Sequence, residues 1–279
     1  MTRSGEPAIT TSIRRLDLPV QAERLQQLGT DFATLKNAIS NLTAHPGSEL
    51  LEQLTPKITQ THRLIGRTLE RLAELGTSQY TAVPGSSASL AVLSSVVESA
   101  SMAAASLASA IAANPLDTAD EADHKARRSS AGPRQAGLLT EAARLVDLSV
   151  TGCHYVADGI LRNLRAHPEH MPLLPRLTGA QYTALEKIGQ GGTRVFRSLR
   201  GGRETVRAGD GSTIYAKPFA VLAETRLIRV PPRGTSLVLD VTVTAAGQLV
   251  LDMHKPARTP TSAPPKTMPP ATAAAGHRR

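Results

Sequence analysis

In the first half of the chain, large hydrophobic residues return at alternating steps of three and four. Toward the C-terminus that rhythm gives way to short runs broken by glycine. Leu25, Leu28, Phe32, Leu35, Ile39 and Leu42 form the first helical series, which His45, Pro46 and Gly47 stop. Leu51, Leu54, Ile58, Ile65, Leu69 and Leu72 form a second, with Thr61 falling on the seam. Pro56 lies inside it, so the helix either starts there with Thr55 as cap or bends there. A third series over 89–113 keeps the register through Leu90, Leu93, Val97, Ala100, Ala104, Leu107 and Ile111, but is made largely of Ala and Ser. Leu139, Ala143, Val146, Val150, Cys153, Ala157, Ile160 and Leu164 form the fourth.

The third series has the length of a membrane span and one charge, Glu98. Its seven serines and few large aliphatics argue instead for a buried helix whose small side chains let neighbouring backbones approach. Four such helices predict a four-helix bundle over 20–168. The seams are narrow, so an intermolecular coiled coil, and hence a homodimer, is the open alternative to a closed monomeric bundle. Residues 1–19 read as disordered. Residues 114–135, with opposed charge blocks between Pro115 and Pro133, read as a mobile loop.

A proline-stiffened linker, 169–176, leads into a different pattern. Residues 177–189 read as a helix capped by Thr178 and ended by Gly189, Gly191 and Gly192. Residues 195–207 read as two extended runs about Gly201 and Gly202, a pair suited to a tight hairpin turn. After a turn at 209–211, Pro218 suits the first turn of a short helix with Phe219, Leu222 and Leu227 on its buried side. A strand over 227–230, a Pro/Gly loop, a strand over 237–244 and a closing apolar run over 245–251 complete a unit spanning 177–253. Residues 254–279, rich in Pro, Thr and Ala, read as a disordered basic tail.

The order helix, short β piece, helix, strand, loop, strand resembles a winged-helix DNA-binding domain. Residues 222–229 followed by 241–247 resemble the end of the recognition helix, the wing and the T-x-A-G lead-in to the last helix of MarR-like regulators. That family has two helices before the recognition helix, whereas this chain offers one helix and a glycine-centred hairpin. The resemblance implies a small winged-helix-like α/β domain, which after the helical bundle read from periodicity gives a fold class of α+β multidomain type. It also implies double-stranded DNA as partner.

Charge sharpens that expectation. The chain carries +9 overall, but residues 1–170 hold 16 Lys and Arg against 17 Asp and Glu, and residues 171–279 hold 16 against 6. A basic half beside a neutral half is the distribution of a nucleic-acid-contacting module joined to a partner-binding one. Arg194, Arg197, Arg200, Arg203 and Arg207 recur through the hairpin, and Lys217, Arg226, Arg229 and Arg233 surround the short helix and wing. These nine are the candidate nucleic-acid-binding residues, able to neutralise phosphates.

Chemistry finds little to hold it. Residues 186–195 look like a kinase glycine-rich loop, but Arg194 stands at the third glycine position. No His-Arg-Asp or Asp-Phe-Gly follows. The eight histidines are scattered, so no metal site is expected, nor any cofactor or catalytic residue. The single cysteine, Cys153, lies on the fourth seam as a buried thiol, which suits a reducing cytoplasm. No apolar signal segment is visible in 1–19. The expected protein is a non-enzymatic, DNA-binding, transcription-regulating one whose helical half dimerises or recruits a partner. The alternative is an assembly factor with no nucleic-acid role.

Overall fold

The computed structural model describes residues 15–42, 47–114, 121–197, 204–232 and 236–253. The protein is mostly helical, with a small antiparallel sheet toward the C-terminus. Four long helices make the first half: α1 (Leu18–Ser40), α2 (Ser48–Gly76), α3 (Ser86–Ala112) and α4 (Glu121–Ala166). α4 packs along both α1 and α3, and α2 leans on α3 and, less closely, on α1. Leu25, Leu28, Phe32, Leu93, Leu107, Val146, Val156 and Ile160 fill the core between them. Asp17 caps α1 by accepting from the Val20 amide, ahead of Pro19 in the first turn.

Several expectations are corrected here. α2 runs through Pro56 without stopping, and its buried stripe is Leu50, Leu54, Thr61, Leu64, Thr68 and Leu75, leaving Leu69 exposed. The two threonines can be buried because their hydroxyls donate to the carbonyls of Lys57 and Leu64, at 2.8 Å each. α4 begins at Glu121, so most of the expected loop 114–135 is helix and Pro133 lies inside it; residues 115–120 are outside the described residues. Residues 15–19 are ordered rather than tail-like. Leu18 and Pro19 are buried, and the Leu16 amide donates to Gln79 Oε1 at 2.8 Å. Nor is α3 a buried helix. It is the one described helix long and apolar enough to cross a membrane, yet only 33% of its most apolar stretch is covered by the rest of the chain.

The second half holds α5 (Gly179–Gly189), β1 (Arg194–Arg197), β2 (Glu204–Arg207), β3 (Thr213–Ile214), α6 (Ala216–Glu224), β4 (Ile228–Arg229), β5 (Val238–Asp240), β6 (Thr242–Val243) and α7 (Ala245–Met253). Thr178 and Gln181 form a reciprocal capping box on α5. β1 and β2 pair antiparallel as the two expected extended runs, while the expected Gly201 and Gly202 turn lies outside the described residues; β3 and β5 are at the edges of a four-stranded sheet ordered β3-β2-β1-β5. The expected single strand 237–244 is two strands in two sheets: β5 pairs with β1, whereas β6 pairs with β4. The switch is at Val241, which is buried and whose amide donates to Thr193 O at 2.9 Å. Leu185, Ile188, Val195, Val206, Ile214, Leu222, Leu227 and Val250 form this half's own core.

The halves are docked. α7 sends Ala245 and Leu249 into the helical core and Val250 into the α/β core. Arg165 on α4 pairs with Asp252 at 2.7 Å. The linker expected over 169–176 is not a free spacer, since Met171 and Leu174 pack against the helical core.

Candidate nucleic-acid interface

α6 forms where the chain leaves β3, with Pro218 at its third position, where a missing amide costs nothing. Leu222 is fully buried and Phe219 partly so. The opposite side carries exposed Ala216, Lys217, Ala220 and Glu224, and Tyr215 just before it is 79% exposed. After α6 the chain passes through Arg226, at φ +57°, into β4. β6 returns antiparallel with Ile228 opposite Val243 and Arg229 opposite Thr242. An exposed helix is thus followed by β4, which pairs with β6 once the chain has passed through β5 in the other sheet.

Strand parity sorts the arginines. Arg194 and Arg207 face each other across β1 and β2 on the outer side of the sheet, whereas Val195 and Val206 point to the core. Arg197 has the core-side parity, at the end of the strand where the core no longer covers it. The described arginines of the hairpin therefore lie on both sides of the sheet. Three of the guanidinium groups are also held by carboxylates. Arg194 pairs with Asp240 at 3.0 Å, Arg197 with Glu204 at 3.0 Å, and Arg229 with Glu23 of α1. Such pairs follow from cross-strand neighbours of opposite charge.

Arg207, Lys217 and Arg226 have no ion pair among the described residues. Arg200, Arg203 and Arg233 lie outside the described residues. Among the described residues, Arg197 and Glu204 are register partners, and the Arg197 amide donates to Leu237 O at 3.1 Å.

The glycine-rich segment after α5 is a structural turn. Gly191 and Gly192 take positive φ, and a Cβ on Gly209 would sit 2.3 Å from Gly191 O, so two backbones touch there. Beside it, Lys187 donates to Ser212 Oγ at 2.7 Å and Ser212 Oγ donates to Asp210 at 2.6 Å. The Ser212 hydroxyl, then its amide, hold the Asp210 carboxyl below its ordinary range. Among the described residues no three His, Cys, Asp or Glu side chains converge as a metal site would require. Cys153 is fully buried, and burial pushes its thiol up to about 12.

Sequence reasoning missed Glu23. Its carboxylate takes the Ala245 amide at 2.7 Å on one oxygen and Arg229 on the other, tying the helical half to the start of α7 and to β4. No local signal could have found a partner 222 positions away.

Comparison with known proteins finds no matching family model, no matching curated protein and no matching solved structure.

Proposed function

We propose that this chain is a non-enzymatic, duplex-DNA-binding regulatory protein of the reducing cytoplasm. Its helical half is a four-helix bundle that dimerises or recruits a partner, and 177–253 is a winged-helix-like reading unit. The observation that carries this reading is the exposed α6 leading into β4, which pairs antiparallel with β6 beyond β5, an order comparable to a recognition helix and its wing. In this reading Arg207, Lys217 and Arg226 neutralise phosphates because no acidic side chain among the described residues competes for them. Arg194, Arg197 and Arg229 contribute less, since Asp240, Glu204 and Glu23 already hold them. Arg200, Arg203 and Arg233 add charge, and the basic residues of 254–279 add non-specific attraction.

The test is a mobility shift of the full chain with unspecific duplex at two salt concentrations. Joint replacement of Arg207, Lys217 and Arg226 by Glu abolishes the shift and flattens its salt dependence, whereas Arg194→Gln changes it little. A wild-type protein that shifts no duplex at low salt removes the proposal.

A further inference from the structure

The outward side of α4 carries a stripe at alternating steps of three and four whose chemistry is symmetrical about Thr151. At its centre Leu148 and Tyr155, three and four residues to either side of Thr151, are 48% and 50% exposed. Further out stand Arg144 on one side and Asp158 on the other, and beyond them Glu141 and Arg162. Leu148 and Tyr155, like Glu141 and Arg162, are equidistant from a point between Thr151 and Gly152, and Arg144 and Asp158 are equidistant from Thr151 itself. An antiparallel copy of the same helix, turned about that point, therefore sets Leu148 against Tyr155, Arg144 against Asp158, and Glu141 against Arg162. Both charged couples are then opposite in sign, and they join across the contact the bridge that Glu141 and Arg144 already form within each copy at 2.6 Å.

The neighbouring surface suits such a contact. At Gly152 the two helices are close enough that a Cβ there would sit 2.3 Å from Val96 Cγ2. Around this crossing lies a groove of about 370 Å³ in which Val92, Ser95 and Ser99 of α3 face Leu148 and Tyr155, with no charged residue in its lining. Met102, 51% exposed, continues the α3 row one turn beyond Ser99. A lipid surface does not match this face, because its centre carries hydroxyls and its two ends carry charges of both signs. A second copy does. α3 has 27 residues and is roughly 40 Å long at 1.5 Å per residue. Two such helices side by side present about 800 Å², the share each partner contributes to a standard-size interface.

We propose that two copies of this chain associate through the α3 and α4 faces about a two-fold axis at Thr151, with the two α4 helices antiparallel. The interface is isologous, each copy offering the same patch. It extends the reading of the helical half as the association module and holds whether or not the C-terminal unit meets DNA.

Sedimentation of the full chain without DNA gives the mass of a dimer, and Leu148→Glu with Tyr155→Glu reduces it to that of a monomer with unchanged helical circular dichroism. Asp158→Arg alone weakens the dimer by setting arginine against Arg144, and adding Arg144→Asp restores it. Thr151→Cys forms a disulfide-linked dimer under mild oxidation, while the wild type, with only buried Cys153, does not. A monomeric wild type overturns the proposal, as does a dimer that survives the Leu148 and Tyr155 changes or a Thr151→Cys chain that does not cross-link. Failure of Arg144→Asp to rescue Asp158→Arg overturns the antiparallel register. Binding to neutral phosphatidylcholine vesicles in place of self-association would assign the face to lipid.

Discussion

Glu23, on the second turn of α1, accepts a hydrogen bond from the backbone amide of Ala245 at 2.7 Å, although the two residues stand 222 positions apart. The other oxygen of the same carboxylate pairs with Arg229, and the side chain is only 16% exposed. An acid at the first turn of α7 is also well placed against the helix dipole. Glu23→Ala removes all three interactions at once and leaves a helix-start amide without its partner, at a cost of about 1–3 kcal/mol. Urea unfolding will show the loss. Amide exchange will rise in β6 and α7 more than in α2, and Glu23→Gln, which keeps an acceptor, will fall between.

Thr193 is 1% exposed, and its hydroxyl is the one buried side-chain polar atom without a partner among the described residues. Its carbonyl, not its side chain, receives the Val241 amide at the sheet switch. Thr193→Val keeps the shape and relieves the unpaired hydroxyl. It is expected to raise stability by about 1 kcal/mol, read from the urea midpoint at unchanged slope. A loss of stability would mean that the hydroxyl is satisfied.

Gly247, in the first turn of α7, packs on the Leu227 backbone just before β4 and on Val243 of β6. A Cβ there would meet Leu227 O at 2.2 Å and Val243 Cγ1 at 2.7 Å. A backbone oxygen cannot rotate away as a flexible side chain can. Gly247→Ala is therefore expected to destabilise the fold by about 1–3 kcal/mol, despite alanine's better helix propensity, with thermal unfolding as the measurement.

Cys153 combines full burial with a thiol pushed up to about 12 by that burial. Native protein at neutral pH will resist alkylation, and one equivalent will react on unfolding. Because the folded thiol titrates above the unfolded one, the stability linked to it is whole below the unfolded value. It is lost as pH rises through the folded one, so alkaline unfolding will bring the thiol into reach.

Single changes separate the cations as well. Lys217→Gln is expected to weaken duplex affinity and lower the magnitude of the salt slope by about one if the residue neutralises one phosphate. Arg229→Gln is expected to act mainly on stability, because its guanidinium faces Glu23.

What the sequence made legible follows from what is local. The Thr178 cap, the stop at Gly189, the pairing of the two extended runs and the place of Pro218 each depend on residues close together in the chain. In α2 the periodicity reaches Leu54 and Thr61, but Thr68 joins the core unannounced because its hydroxyl is satisfied on its own helix. Residues 121–135 read as a loop because charge blocks and Pro133 suggest solvent. Yet opposed charges four apart, as at 121 and 125 or 123 and 127, equally suit a helix. The break at Val241 is set by a hydrogen bond to Thr193, and the ion pairs of Arg194 and Arg229 by Asp240 and Glu23. These partners are distant in the chain, and periodicity contains no information about them.

α7 gives one face to each core through Leu249 and Val250. During synthesis the four long helices leave the ribosome well before it, with a hydrophobic gap at their end. Whatever shields that gap in the interval, a chaperone or a transient register of the helices themselves, must yield its place to Leu249. A nascent chain halted before residue 245 is thus the species most exposed to degradation.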